Sequence, residues 1–314
     1  MKNIIIAVIC LTSISCCKDS DIISQNNKFQ FYKLQSNTSE TITDIAFIND
    51  TEGIICGESG FCSKTTNGGA LWTTLNTGIP FSFVSAFMFD NQNYFIGRNG
   101  IYRSTNSGNT FSEIGNLSNV SSVISKIYFQ TRNIGFISKS GSIYKTTDGG
   151  LTWFEKYNTG AYYGLTNLLF TSQNIAYASG GRTFDQINQG EIVKTIDGGN
   201  TWNIILSTVN ITSIYFTSDS IGFYSNYNKE IFITKDGGLS WSKITTLNYL
   251  PLSIVFENEF QGYVSTQEGK ILKTTNCGQS WEIVYENNEP IVKIIKTPNS
   301  IFGVGGNGLV IKSK

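Results

Sequence analysis

A nine-residue phrase that keeps returning, an apolar triplet between its copies, and chain ends holding complementary parts of one repeat predict an all-β fold. That fold is a single seven-bladed β-propeller of four-stranded blades. The phrase first reads Lys64-Thr65-Thr66-Asn67-Gly68-Gly69-Ala70-Leu71-Trp72. It returns from Arg103 to Phe111, from Lys145 to Trp153, from Lys194 to Trp202, from Ile233 to Trp241 and from Lys273 to Trp281. The five tryptophans, Trp72, Trp153, Trp202, Trp241 and Trp281, all stand at its last position.

Seven triplets lie between the phrases: Ile45-Ala46-Phe47, Phe87-Met88-Phe89, Ile127-Tyr128-Phe129, Leu168-Leu169-Phe170, Ile214-Tyr215-Phe216, Ile254-Val255-Phe256 and Ile294-Ile295-Lys296. Each opens a repeat. A polar turn and a second short strand follow, as in Ile134-Gly135-Phe136-Ile137, then a third strand such as Ser142-Ile143-Tyr144-Lys145. A fourth strand starts at the Trp. Four short strands in a period of about 40 residues describe a propeller blade. The seventh repeat stops after its third strand, at Gly308 to Ser313. At the other end Phe29 to Leu34 has the character of a fourth strand with no blade before it. Residues 29–34 are therefore expected to complete blade seven and close the ring, leaving no free edge there.

Within the phrase, Asn67, Asn106, Asp148, Asp197, Asp236 and Asn276 occupy one position. Their side-chain oxygens suit a turn, where they accept backbone N–H bonds. The glycines beside them supply positive φ, and Trp supplies a large face to bury between blades. A calcium loop is the competing reading, but each turn offers one carboxylate without a ladder of ligands or a closing Glu. No metal and no cofactor are expected.

The Ser/Thr-x-Asp-x-Gly-x-Thr/Ser-Trp pattern resembles the Asp-box, or BNR-type repeat, of sialidases, sortilin-type receptors and the photosystem-assembly propellers related to Ycf48. The Ycf48-like resemblance covers nearly all of residues 29–314. It implies that the Asp-box turns join third to fourth strands on the face away from the usual ligand site. The photosystem relatives use an arginine-rich patch, which the four scattered arginines here, Arg98, Arg103, Arg132 and Arg182, do not reproduce. Sialidases clamp a sugar carboxylate with three arginines and add a Tyr–Glu pair and an acid Asp. That set is not assembled here, and the Phe-Arg-Ile-Pro segment is absent. A glycosidase needs only two carboxyl groups across a cleft, for which Asp185 and Glu191 are candidates.

Composition narrows the partners. Lys plus Arg and Asp plus Glu both number 23, so no basic surplus invites nucleic acid. Histidine is absent, which removes the commonest general base and metal ligand.

The chain begins with Met1-Lys2-Asn3, an apolar run from Ile4 to Leu11, and Thr12-Ser13-Ile14-Ser15-Cys16-Cys17. This reads as a secretory signal, too short to span a bilayer. A Cys directly after a small residue makes it resemble a bacterial lipoprotein signal. Cys16 is then the lipidated residue, with Cys17 the alternative, since Ser13 stands where such signals usually carry Leu. The expected organisation is a signal over 1–15, a lipidated tether over 16–28 and the propeller over 29–314. The expected location is the outer membrane or cell surface, with membrane contact only through the lipid.

An exported chain can form disulfides. Cys56-Gly57-Glu58-Ser59-Gly60-Phe61-Cys62 reads as a hairpin with a three-residue loop, placing Cys56 opposite Cys62 within bridging range.

The repeat is interrupted once at length. Thr146 and Thr195 are 49 positions apart, whereas Thr195 and Thr234 are 39. The surplus falls in a loop over residues 179–190. Loops on rigid scaffolds carry binding more often than the scaffold does. Arg182, Phe184 and Asp185, with Tyr162 and Tyr163 of a neighbouring connection, are the candidate partner-binding residues. Phe81, Phe83 and Tyr249 are further aromatics in blade connections that serve either as anchors or as wedges. The resulting expectation is a scaffold that holds a protein partner in the cell envelope. Carbohydrate binding or glycoside hydrolysis is the alternative.

Overall fold

The computed structural model describes residues 30–115, 117, 123–159, 164–184 and 187–314. Cys16, Tyr162, Tyr163 and Asp185 lie outside them. Seven four-stranded antiparallel sheets are arranged as blades. Six of them are built from consecutive strands, such as Ile211–Phe216, Gly222–Asn226, Glu230–Thr234 and Ser242–Thr246 of blade five. The innermost strands touch in a closed cycle, the last against the first.

Blade seven takes three strands from residues 291–313 and its outer strand from Phe31–Leu34. The register runs from Phe31 opposite Ser313 to Leu34 opposite Val310. Ring closure by the N-terminal strand is thus as expected, with the strand starting at Phe31.

The recurring sequence elements explain how blades stack. The Phe that ends an inner strand lies over the Gly opposite it, as in Phe47 over Gly53 and Phe256 over Gly262. A Cβ on either Gly would stand within 2.6 Å of that ring. The same Phe meets its own blade's Trp edge-on, with centroids 6.1 Å apart for Phe47–Trp72 and 6.2 Å for Phe256–Trp281. Its other face stacks on an aromatic ring of the preceding blade. Phe223 stacks on Phe256 at 3.6 Å, Tyr177 on Phe216 at 3.8 Å and Phe95 on Phe129 at 4.0 Å. Aromatic pairs add about 0.5–1.5 kcal/mol beyond the area they bury.

Blade two departs from this plan. Its inner strand pairs Ala86 with Ile96 and Met88 with Tyr94. Ala86-Phe87-Met88 is therefore the true counterpart of Ile45-Ala46-Phe47, one residue earlier than the triplet Phe87-Met88-Phe89. The large and small partners exchange places here, with Tyr94 where Gly stands in blades one, three, five and six. That exchange hides the register in the sequence.

The Asp-box turns perform as the residue types require. Each carboxylate or amide oxygen accepts the backbone N–H four residues on, as from Leu71 to Asn67 at 2.9 Å and from Thr201 to Asp197 at 3.0 Å. The preceding Thr or Ser hydroxyl donates to that oxygen and accepts the second glycine's N–H, as for Thr146, Asp148 and Gly150. The indole N–H reaches a carbonyl in Trp153 and Trp281. In Trp72, Trp202 and Trp241 it has no partner among the described residues. The Lys that opens the phrase is a staple. Lys194 Nζ donates to Gly237 O of the next blade at 2.8 Å, and Lys64, Lys145 and Lys312 do the same. No helix among the described residues is long and apolar enough to cross a membrane.

Candidate binding face and channel

The face opposite the Asp-box turns carries the second-to-third-strand turns and the blade connections. Residues 179–184 and 187–190 lie there, and they form strands where a loop is expected. Ala176–Phe184 and Ile187–Thr195 pair continuously from Ala176 opposite Thr195 to Phe184 opposite Ile187. In the other blades the corresponding strands end sooner, as at Lys139 opposite Ser142. A stretch with Thr183, Phe184 and Ile187 favours strand over irregular loop. Blade four thus raises a hairpin above its neighbours.

The hairpin is seated at its base. Gly181 and Gly190, opposite each other, lie against Asn210 of the next connection, where a Cβ on either would come within 3.0 Å of it. The backbone N–H of Asn210 donates to Asn188 Oδ1 at 3.1 Å. Arg182 is half-buried and pairs in register with Gln189. Phe184 lies in the strand at the hairpin's end. Glu191, 7% exposed, accepts a hydrogen bond from the Tyr157 hydroxyl at 3.0 Å, and burial pushes its carboxyl upward. The other named aromatics separate: Phe81 is exposed, Tyr249 is half-buried beside Lys270, and Phe83 is buried as a wedge.

Cys56 and Cys62 are opposite in register, as expected, around the turn Glu58–Gly60. Both are buried and carry free thiols. Burial pushes Cys56 well up and Cys62 up to about 12.

The channel holds what sequence reasoning overlooked. Asp44, Ser85, Lys126, Asn167, Ser213, Ser253 and Lys293 occupy one position of the seven inner strands, fixed by their partners Cys56, Gly97, Ser138, Ser179, Ser225, Ser265 and Val304. They form a polar collar. In every blade but the third, the collar residue bonds the inner strand of the next blade. Ala86 N–H donates to Asp44 at 2.9 Å, Ile127 N–H to Ser85 at 3.0 Å and Ile254 N–H to Ser213 at 3.1 Å. Asn167 donates to Thr212 O, Ser253 to Ile294 O and Lys293 to Ile45 O. Lys126 instead turns back across blade two and donates to Asp44 at 3.2 Å. Lys293 also pairs with Asp44. A signal exists in the sequence: a polar residue directly before each inner-strand triplet, once blade two is in register.

Comparison with known proteins fits this architecture. The family model described as photosynthesis system II assembly factor YCF48 matches residues 23–161. A solved structure of YCF48 bound to D1 peptide is similar at 18% identity and a TM-score of 0.75, covering 91% of this chain and 96% of that one. YCF48 from Cyanidioschyzon merolae is similar at 16% identity, also with a TM-score of 0.75, over 90% and 98% of the two chains. Residues 23–161 are thus similar to the YCF48 family, and the chain as a whole shares the β-propeller fold of YCF48.

Past residue 161 the chain repeats the same phrase, turn geometry and Trp position three more times, at Trp202, Trp241 and Trp281. A GH74 enzyme from Niastella koreensis is also similar, at 16% identity and a TM-score of 0.66, over 84% of this chain and 51% of that one. Identities this low show a shared fold. No curated protein sequence matches the chain.

Proposed function

We propose that this Ycf48-like propeller is a lipid-anchored, extracytoplasmic scaffold that holds a protein partner on the face bearing the blade-four hairpin. The observation that carries this reading is the hairpin itself. Two strands continue past the blade to Phe184 and Ile187, on a base pinned against Asn210. Such an arm presents its outer residues at little ordering cost, since the backbone is already paired. Protein holding is supported by the YCF48 family match and by a YCF48 neighbour whose structure contains a D1 peptide. The anchor rests on the Cys16 motif alone. A non-catalytic role is supported by the assembly-factor relatives.

The test is co-purification from gently solubilised envelope of the native kind of host, comparing the full chain with one in which residues 182–189 are replaced by Asn-Gly. The Gly181–Gly190 pair then closes on a two-residue turn, so the scaffold is preserved. A near-stoichiometric partner lost in the short form supports the reading. A partner retained by both forms moves the site elsewhere, and conversion of Cys16 to Ser with unchanged membrane association removes the anchor.

The GH74 likeness favours a second reading, carbohydrate binding or hydrolysis. A polysaccharide panel incubated with the purified chain tests it, and products lost in Glu191→Gln would support the hydrolase form.

A further inference from the structure

The collar carries a charge imbalance. Asp44 is 0% exposed, and its two oxygens together accept from Ile45 N–H, Ala86 N–H, Lys126 and Lys293. A carboxylate has about four lone-pair sites, so Asp44 is saturated. Two ammonium groups therefore share one carboxylate, leaving one net positive charge inside the ring. Burying a charge without a counter-ion is costly. The lysine side chains are about a quarter exposed, at 23% and 24%, so they face an open space.

That space is a cavity of about 240 Å³ in the channel. Beside the two lysines its walls are Phe87, Tyr128, Leu168, Leu169 and Ile214. Among the described residues Lys126 donates one hydrogen bond, to Asp44, and an ammonium has three donors to place. In the other six blades the collar residue is used up in joining blades; Lys126 is turned away from that task and toward the cavity's charged end. At roughly 30 Å³ per water, the volume accommodates about eight waters, or one small organic molecule.

We propose that the channel is a binding site for a small monocarboxylate with an apolar or aromatic body. The carboxylate is held by Lys126, assisted by Lys293, and neutralises the surplus charge. The body lies against Phe87, Tyr128 and Leu169. A single surplus charge selects a monoanion over a dianion, and the apolar walls select against a compact, strongly hydrated anion. The site is independent of whether the face above it holds a protein.

The experiment is isothermal titration of the full chain with phenylacetate, with its uncharged isostere phenylacetamide, and with inorganic phosphate. Phenylacetate is expected to bind one-to-one, and the amide about tenfold more weakly or worse, as loss of a charged hydrogen bond implies. Lys126→Met leaves a neutral Asp44–Lys293 pair and is expected to weaken phenylacetate by a similar factor with the denaturation midpoint retained. Lys126→Arg is expected to keep binding. Should the Met variant fail to fold, the Tyr128 ring resonances of the native chain supply the second readout, since they must shift on titration. The proposal is overturned by amide binding as tight as the acid, by phosphate binding as tightly as phenylacetate, by undiminished binding in folded Lys126→Met, or by Tyr128 resonances that stay in place.

Discussion

The ring of Phe47 in blade one lies flat on that of Phe302 in blade seven, with centroids 4.3 Å apart and planes 22° from parallel. The same stack recurs between blades two and three, four and five, and five and six, but here it joins the ends of the ring. Phe302 is fully buried. Phe302→Ala is expected to cost about 3–5 kcal/mol, the range for a buried Phe. Phe223→Ala, at a boundary inside the repeat array, should cost a similar amount. The two should differ in limited proteolysis, with Phe302→Ala exposing the strand Phe31–Leu34 to cleavage first. Chemical denaturation and timed digestion measure both effects.

Asp44 should tolerate loss poorly. Burial pulls its carboxyl upward, yet Lys126, Lys293 and the Ala86 N–H hold it below its ordinary value. Asp44→Ala leaves two lysines facing each other in the channel, and removing one partner of a buried ion pair costs about 3–5 kcal/mol. Denaturant titration of Asp44→Ala beside Lys126→Met separates the two roles: the first should be strongly destabilised, the second little changed.

The Asp-boxes carry a pH dependence of definite sign. Hydrogen bonds from the Thr152 hydroxyl and N–H hold Asp148 down to about 2, and those from Ser240 hold Asp236 down to about 2. Asp197 is lowered likewise by Thr201. A carboxyl with a depressed folded pKa contributes stability above its ordinary value of 3.8, and that contribution is lost as pH falls toward 2. Asn67, Asn106 and Asn276 hold the same turn without a proton to bind. Changing Asp148, Asp197 and Asp236 together to Asn should flatten the loss of thermal stability between about pH 4 and pH 2. An acid limb as steep as that of the native chain would contradict this.

Cys56 and Cys62 should behave as a silent pair until oxidised. Both thiols are buried and pushed toward the unreactive protonated form. Native reduced chain should resist alkylation and react fully once unfolded. Their opposed register allows a disulfide on oxidative refolding, detected as an intact mass lower by two hydrogens. Closing so short a loop should add about 2 kcal/mol.

Much of this fold is legible because the repeats force one answer. The Trp position and the incomplete seventh repeat determine blade number and closure without reference to packing. Legibility fails where a residue's meaning depends on its counterpart in another blade. Phe87-Met88-Phe89 reads as an inner triplet by composition, and only Tyr94 opposite Met88 displaces it by one. Asp44, Lys126 and Lys293 are three separate polar residues along the chain, and their association spans 82 and 249 positions. The stretch 179–190 shows as an insertion by arithmetic. Its strand character shows in the pairing that runs from Ala176 opposite Thr195 to Phe184 opposite Ile187.

The pairing of Phe31–Leu34 with Val310–Ser313 has a consequence in time. A strand synthesised among the first must wait for one synthesised among the last. Blades one to six can each assemble from neighbouring sequence as it arrives, at low cost in chain entropy. The seventh depends on one encounter across some 280 positions, whose entropic cost grows only slowly with that distance. The early strand meanwhile presents unpaired N–H and C=O groups, an opening for a second chain's Val310–Ser313 to insert. Crowded refolding should therefore yield interlocked pairs of chains, and dilution should favour self-closure.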